Sequence, residues 1–182
     1  MLDHNVDLHL RFVPSKENLA DAPSRKLDLS DTMLSESSWL LVEKKFGPHS
    51  VDLMALDSNA MRACDGTSLR HFTPWKTPDT SGVNVFSQNL REEGNMYVYP
   101  PFVLIFPVLC LLEEQVVSCT LVARKPSPLP VWWPKLKSCS RKYVCLGQKT
   151  QKGVVKIPTR NGFLLDTVDL RQPLYAFRLS FS

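Results

Sequence analysis

Glycine is scarce in this 182-residue chain: it occurs seven times, and no two glycines are separated by a single residue. A Gly-x-Gly turn that cradles a phosphate or a nucleotide cofactor is therefore excluded, as is a collagen-like repeat. The five cysteines (Cys64, Cys110, Cys119, Cys139, Cys145) include no Cys-x-x-Cys pair, and the four histidines (His4, His9, His49, His71) stand apart from them. A zinc site of the usual spacing is not expected. Also missing are the HExxH helix, the Gly-x-Ser-x-Gly elbow and the Gly-Lys-Ser/Thr phosphate loop, which removes the common metalloprotease, hydrolase and nucleotide-triphosphatase chemistries. Met1 is followed by Leu-Asp-His-Asn rather than by a basic and apolar leader. Together with the odd cysteine count, this predicts an intracellular setting, cytoplasm or nucleus, rather than secretion.

Uninterrupted apolar runs are short as well. Residues 94–112 are uncharged, but Pro100, Pro101 and Pro107 divide them, and a central Pro-Pro interrupts the backbone bonding that lipid demands. The stretch is read as a buried strand, a turn and a buried helix, with no membrane partner. Acidic residues are absent from residues 115–165, which hold ten cations: Arg124, Lys125, Lys135, Lys137, Arg141, Lys142, Lys149, Lys152, Lys156 and Arg160. That segment carries +10 within a net charge of +4. It is expected to be an electrostatic footprint for phosphates, so nucleic acid is the expected partner; the alternative is a solvated face that balances the acidic remainder. The doublet Trp132-Trp133, flanked by Arg124, Lys125, Lys135, Lys137, Arg141 and Lys142, is the candidate contact surface, because aromatic faces stack bases while cations hold phosphates. One ring is expected to anchor the turn in the core and the other to face out.

What the chain does contain is a globular composition, 43% hydrophobic and 22% charged, with fourteen prolines that stiffen its loops. Leu8, Leu10 and Phe12 alternate as in a half-buried strand, Pro14 closes it, and a short helix leads from Ser15 or Lys16 to Pro23. Ser35 or Ser37 is placed to cap a helix whose Trp39, Val42 and Phe46 share one face, with Gly47-Pro48 as its stop. Residues 50–56 then read as a buried strand of a parallel or mixed sheet. Residues 57–94 read as a long loop pinned by Phe72, Trp75 and Phe86. Order returns with a strand at 95–99, an apolar helix through Leu104, Val108 and Leu111, and a strand at 116–123. A Trp-Trp-Pro turn then leads into a helix carrying Leu136, followed by strand-like pieces at 143–146, 153–157 and 174–178.

The block Leu10-Arg-Phe-Val-Pro-Ser-Lys-Glu-Asn-Leu-Ala-Asp-Ala-Pro-Ser-Arg25 resembles the end of the ribonuclease H domain of retrotransposon polyproteins. The resemblance implies that Asp21 matches one of that family's metal-binding carboxylates, with Mg²⁺ bound only by an intact domain. Two-metal hydrolysis needs several converging carboxylates, and Asp21 is the one member of the set matched here. The chain is expected to leave an RNA–DNA hybrid uncut in Mg²⁺ or Mn²⁺; metal-dependent cleavage that disappears in Asp21→Asn would overturn this. No cofactor is expected.

Downstream, the segments FGPHSVDLMALDSN, RHFTPW, GVNVFSQNL, NMYVYPPFVLI, WWPKL and LYAFRLSF resemble the region after ribonuclease H in DIRS-type retrotransposons. Such elements often carry a methyltransferase-like region. Tyr99-Pro100-Pro101-Phe102 after a strand looks like the loop of methyltransferases acting on the adenine amino group, and Val51-Asp-Leu-Met-Ala with Asn59 is similar to their acidic strand. The resemblance implies that Phe102 would stack on an extruded base. Tyr99, however, stands where the family has a short polar acceptor, and the cofactor glycines are missing. The expected fold is α/β, an incomplete mixed sheet with flanking helices and long proline-rich loops, in the manner of a degenerate methyltransferase-like (Rossmann-like) unit. Its expected divisions are a truncated ribonuclease H end at 1–27, a helix–strand unit at 28–56, a loop region at 57–94 and a basic α/β region at 95–182. The expected function is that of a retrotransposon polyprotein fragment without complete catalytic activity that binds nucleic acid non-specifically, the alternative being a degenerate adenine methyltransferase-like domain.

Overall fold

A computed structural model describes residues 32–159, 162–165 and 169–181; the expected strand and helix of 1–27, with Asp21, lie outside them. Helix α1 (Glu36–Phe46) starts where Ser35 accepts a bond from the Ser38 N–H, with Glu36 in its first turn and Lys44 and Lys45 in its last. Both charge placements oppose the helix dipole. The Gly47 N–H closes the helix on the Glu43 carbonyl. The chain then enters β2 (Val51–Asp52), only two residues long where residues 50–56 promised a longer strand. The carboxylate of Asp52 and the side chain of Asn59 take up the next backbone N–H groups and turn the chain out of the sheet.

Residues 57–94 are more than a loop. They supply β3 (Arg70–Thr73), β4 (Gly82–Val83) and the short 3-10 turns Val85–Ser87 and Leu90–Glu92. Phe72 and Leu90 are in the core, whereas Trp75 and Phe86 are 60% and 39% exposed and do not pin the segment. The strands escaped the sequence reading because they are short and because His71 and Thr73 are buried through polar side chains, which breaks the apolar pattern.

The remaining elements follow the hydrophobic pattern. Strand β5 (Met96–Val98) leads through a 3-10 turn at Phe102–Leu104 into α2 (Ile105–Gln115), which buries Ile105, Val108, Leu109, Leu111 and Leu112. Val116, in the left-handed region at φ 56°, ends that helix and turns the chain into β6 (Cys119–Arg124). Helix α3 (Trp133–Cys139) is followed by β7 (Ser140–Gly147), β8 (Val155–Thr159), β9 (Gly162–Leu165) and β10 (Leu174–Leu179).

The main sheet has seven strands in the order β4-β3-β2-β5-β6-β10-β7. It is parallel from β4 to β6, and β10 runs antiparallel between β6 and β7. Counted from β2, the parallel strands stand 3-2-1-4-5, the doubly wound order. The fold is therefore mixed α/β with flanking helices, and one sheet joins strands from 28–56, 57–94 and 95–182. Its faces alternate along each strand: Met96 and Val98 pack with α2 and α3, while Tyr97 between them packs with Trp39 and Val42 of α1. A small antiparallel sheet, β1 (Met33–Leu34) with β8 and β9, lies on the α1 side, where Leu34 and Val155 join the same cluster. No helix among the described residues is long and apolar enough to cross a membrane.

Candidate functional site

In a doubly wound sheet, the chain leaves neighbouring central strands toward opposite sides, opening a crevice at their carboxyl ends. Here those strands are β2 and β5. A cavity of about 430 Å³ lies at that point, in the size range of small-molecule sites. Each parallel strand contributes through the residues just beyond it: Leu53 and Met54 after β2, Thr73 and Trp75 after β3, Asn84 and Phe86 after β4, and Tyr99 and Pro101 after β5.

The floor is polar. Asp52 is 3% exposed, stands in register between His71 and Tyr97, and accepts only long bonds from the N–H groups of Met54 (3.3 Å) and Met61 (3.4 Å). Burial pushes its carboxyl up to about 7, opposed by those two N–H groups and by His71. The Tyr97 hydroxyl is buried and has no hydrogen-bond partner. Burial, then the charge of Asp52, hold its phenol well above the usual range. A buried orphan hydroxyl costs roughly 1–3 kcal/mol, so a ligand acceptor on this floor would recover that cost. The side walls are fixed by a half-buried latch: Asp57 accepts from Thr77 Oγ1 (2.7 Å) and meets His71 Nε2 (2.8 Å), which ties the loop after β3 to the turn after β2.

A second polar group lies at the other end of the strands. His49 bonds Glu43 through Nδ1 and Thr120 Oγ1 through Nε2 (2.8 Å), and Thr120 Oγ1 accepts from Arg178 (3.2 Å). The Glu43 carboxylate calls for an N–H on Nδ1, so neutral His49 carries its proton there and accepts from the Thr120 hydroxyl at Nε2. Burial holds the His49 pKa below 6.5 against the opposing pull of Glu43. The unfolded chain then binds the extra proton, so the stability this residue contributes is complete above 6.5 and is lost as pH falls toward the folded value. The difference in urea midpoint between wild type and His49→Gln is expected to shrink from pH 7.5 to pH 5; a constant difference would contradict it.

Of the residues singled out from sequence, Tyr99, Pro100, Pro101 and Phe102 leave β5; Tyr99 and Pro101 line the cavity, while Pro100 and the half-exposed Phe102 lie to its side. Trp132 and Trp133 are both buried, at 6% and 8%. Neither ring faces out, because Trp132 packs on Phe102 and Trp133 meets Phe177 edge-on. The cations are spread along the sheet. Through β10, Lys142 is level with Thr120, whereas Arg124 is level with Gly147, so they stand four residues, roughly 13 Å, apart along the sheet. Lys135 is held by Glu113, Lys137 lies 4.3 Å over the Tyr143 ring, and Arg141 and Lys142 are exposed on the edge strand β7. Lysine and arginine there also guard a sheet edge against mispairing. The expected site list omitted Asp52 and Tyr97; the readable signal was an acid inside the apolar run Val51-Asp-Leu-Met-Ala.

Compared with protein-family models and with curated proteins, the chain matches none of either.

Proposed function

We propose that this chain is a methyltransferase-like domain of retroelement origin that keeps the nucleoside cleft of its scaffold and lacks the transfer chemistry. The observation that carries the reading is positional: Tyr99-Pro100-Pro101-Phe102 follows the central strand β5, and its Tyr99 and Pro101 line the crevice at the switch point beside β2. The reversed strand β10, inserted before the last strand of a 3-2-1-4-5 sheet, is also the arrangement of the Rossmann-like methyltransferases. Walls of Phe72, Trp75 and Phe86 suit a planar base, and Asp52 with Tyr97 offers an acceptor and a donor to its polar edge.

The residues present do not fit the methionine arm of S-adenosylmethionine. The turn after β2 has no glycine, and its N–H groups are spent internally: Met54 and Met61 on Asp52, Leu56 on Asn59. Tyr99 likewise supplies no short acceptor for a target amine. Calorimetry is expected to give saturable one-site binding of adenosine, no tighter binding of S-adenosylmethionine, and no methyl transfer to adenine-containing DNA. Failure of adenosine to bind, or turnover of the cofactor, would overturn the reading.

A further inference from the structure

The Pro100-Pro101 turn divides the crevice without closing it. Beyond it lies a second cavity of about 580 Å³ that shares Thr32, Tyr99 and Pro101 with the first. Its walls are of different chemistry. Arg124, at the end of β6, and Arg171, three residues before β10, both line it, and neither guanidinium has a hydrogen-bond or ion-pair partner among the described residues. Asp169 lines it too and pairs with neither arginine, which leaves an excess of positive charge among the described residues. Phe102, 50% exposed, stands at the same cavity, braced edge-on by Trp132 at 5.6 Å between ring centres.

Two unpaired guanidiniums in a concave site with an open aromatic ring make a different surface from cations on a convex face. Guanidinium presents a planar fork that matches phosphate oxygens bidentately, and a braced ring gives a neighbouring base a stacking surface at little entropic cost. We propose that this second compartment binds the phosphate group of a nucleotide, with Arg124 and Arg171 as its ligands and, where the ligand is a strand, Phe102 beside the neighbouring base. The class of ligand rests on the cleft reading above; the site itself rests on the two arginines. It gives Arg124 a place apart from the cations of α3 and β7, so phosphate affinity is local rather than spread over the basic segment.

The test uses the full chain and a fluorescein-labelled hexadeoxyadenylate followed by polarization. Arg124→Gln/Arg171→Gln is expected to weaken binding at least tenfold at low salt and to flatten the plot of log affinity against log salt by about 0.7, the change for one phosphate contact on a single strand. Arg141→Gln/Lys142→Gln, an equal change of charge, is expected to leave both nearly unchanged. Competition by adenosine monophosphate identifies a free nucleotide as sufficient, and competition by the hexanucleotide alone identifies a strand; both support the site. Equal losses in the two double variants, or none in the first, overturn it. Adenosine measured by calorimetry keeps the two readings separate: its failure to bind removes the nucleoside cleft and leaves an arginine-dependent phosphate site standing. Its binding to the Arg124→Gln/Arg171→Gln variant as to wild type is the expected result and shows that the variant is folded.

Discussion

Trp133→Ala is expected to lower the stability of the chain by about 3–5 kcal/mol, the usual cost of emptying a large aromatic from a core. Its ring is 8% exposed, meets Phe177 edge-on at 5.8 Å and lies 5.9 Å from Trp132, on the helix face that also buries Leu136 and Cys139. Phe177 belongs to β10, the strand that ties β6 to β7, so the cavity would open under the middle of the antiparallel half of the sheet. Urea unfolding measures the effect directly. A change below about 1 kcal/mol, together with selective loss of single-strand binding, would return the tryptophan to the stacking role that its sequence context suggested.

Asp52→Asn is expected to act in the opposite direction and to stabilise the protein by about 2–4 kcal/mol at pH 8. The folded carboxyl sits near 7 and its ordinary value is 3.8. Three units of difference correspond to about 4 kcal/mol at 1.36 kcal/mol each, reduced by about 1 kcal/mol because asparagine offers one acceptor to two N–H groups. The folded state binds the proton more tightly, so the stability that Asp52 contributes is complete below 3.8 and is lost as pH rises through about 7. The gain from asparagine should therefore be largest at pH 8 and vanish near pH 4. Thermal melts at the two pH values check this; a destabilised variant at pH 8 would contradict the burial of an uncompensated acid. The same change should weaken adenosine binding. A residue whose removal stabilises the fold and impairs the ligand is kept for the site rather than for the structure.

The apolar elements were legible in the sequence because they obey one period each. Trp39 and Val42 mark α1, and Val108 and Leu111 mark α2. The stop at Gly47-Pro48 was readable for the same reason, since glycine and proline act locally. The strands β3 and β4 were not legible. Four and two residues are too few to display a period, and their pairing depends on partners ten or more residues away in sequence. Strand order is a property of pairing, so the place of β10 between β6 and β7 could not be read from either strand alone.

The site was half legible. The Tyr99–Phe102 turn stood out by its proline pair, and the structure puts it on the rim of a cavity. Asp52 stood in view as an acid in an apolar strand, but its meaning depends on Tyr97, whose unpartnered hydroxyl is a fact of packing. The basic segment shows the limit of a count along the chain. Counting cations along the chain says nothing of which end of a sheet each one occupies, and β10 places Arg124 and Lys142 at different levels.

The central claim is that a nucleoside occupies the crevice at the carboxyl ends of β2, β3, β4 and β5. The most direct measurement is an adenosine titration of ¹⁵N-labelled protein followed by amide chemical shifts. Saturable shifts are expected at Met54, Trp75, Asn84 and Tyr99, with the amides of Arg141, Lys142 and Tyr143 on β7 unmoved. Shifts confined to β7, or none at all at millimolar adenosine, would contradict it.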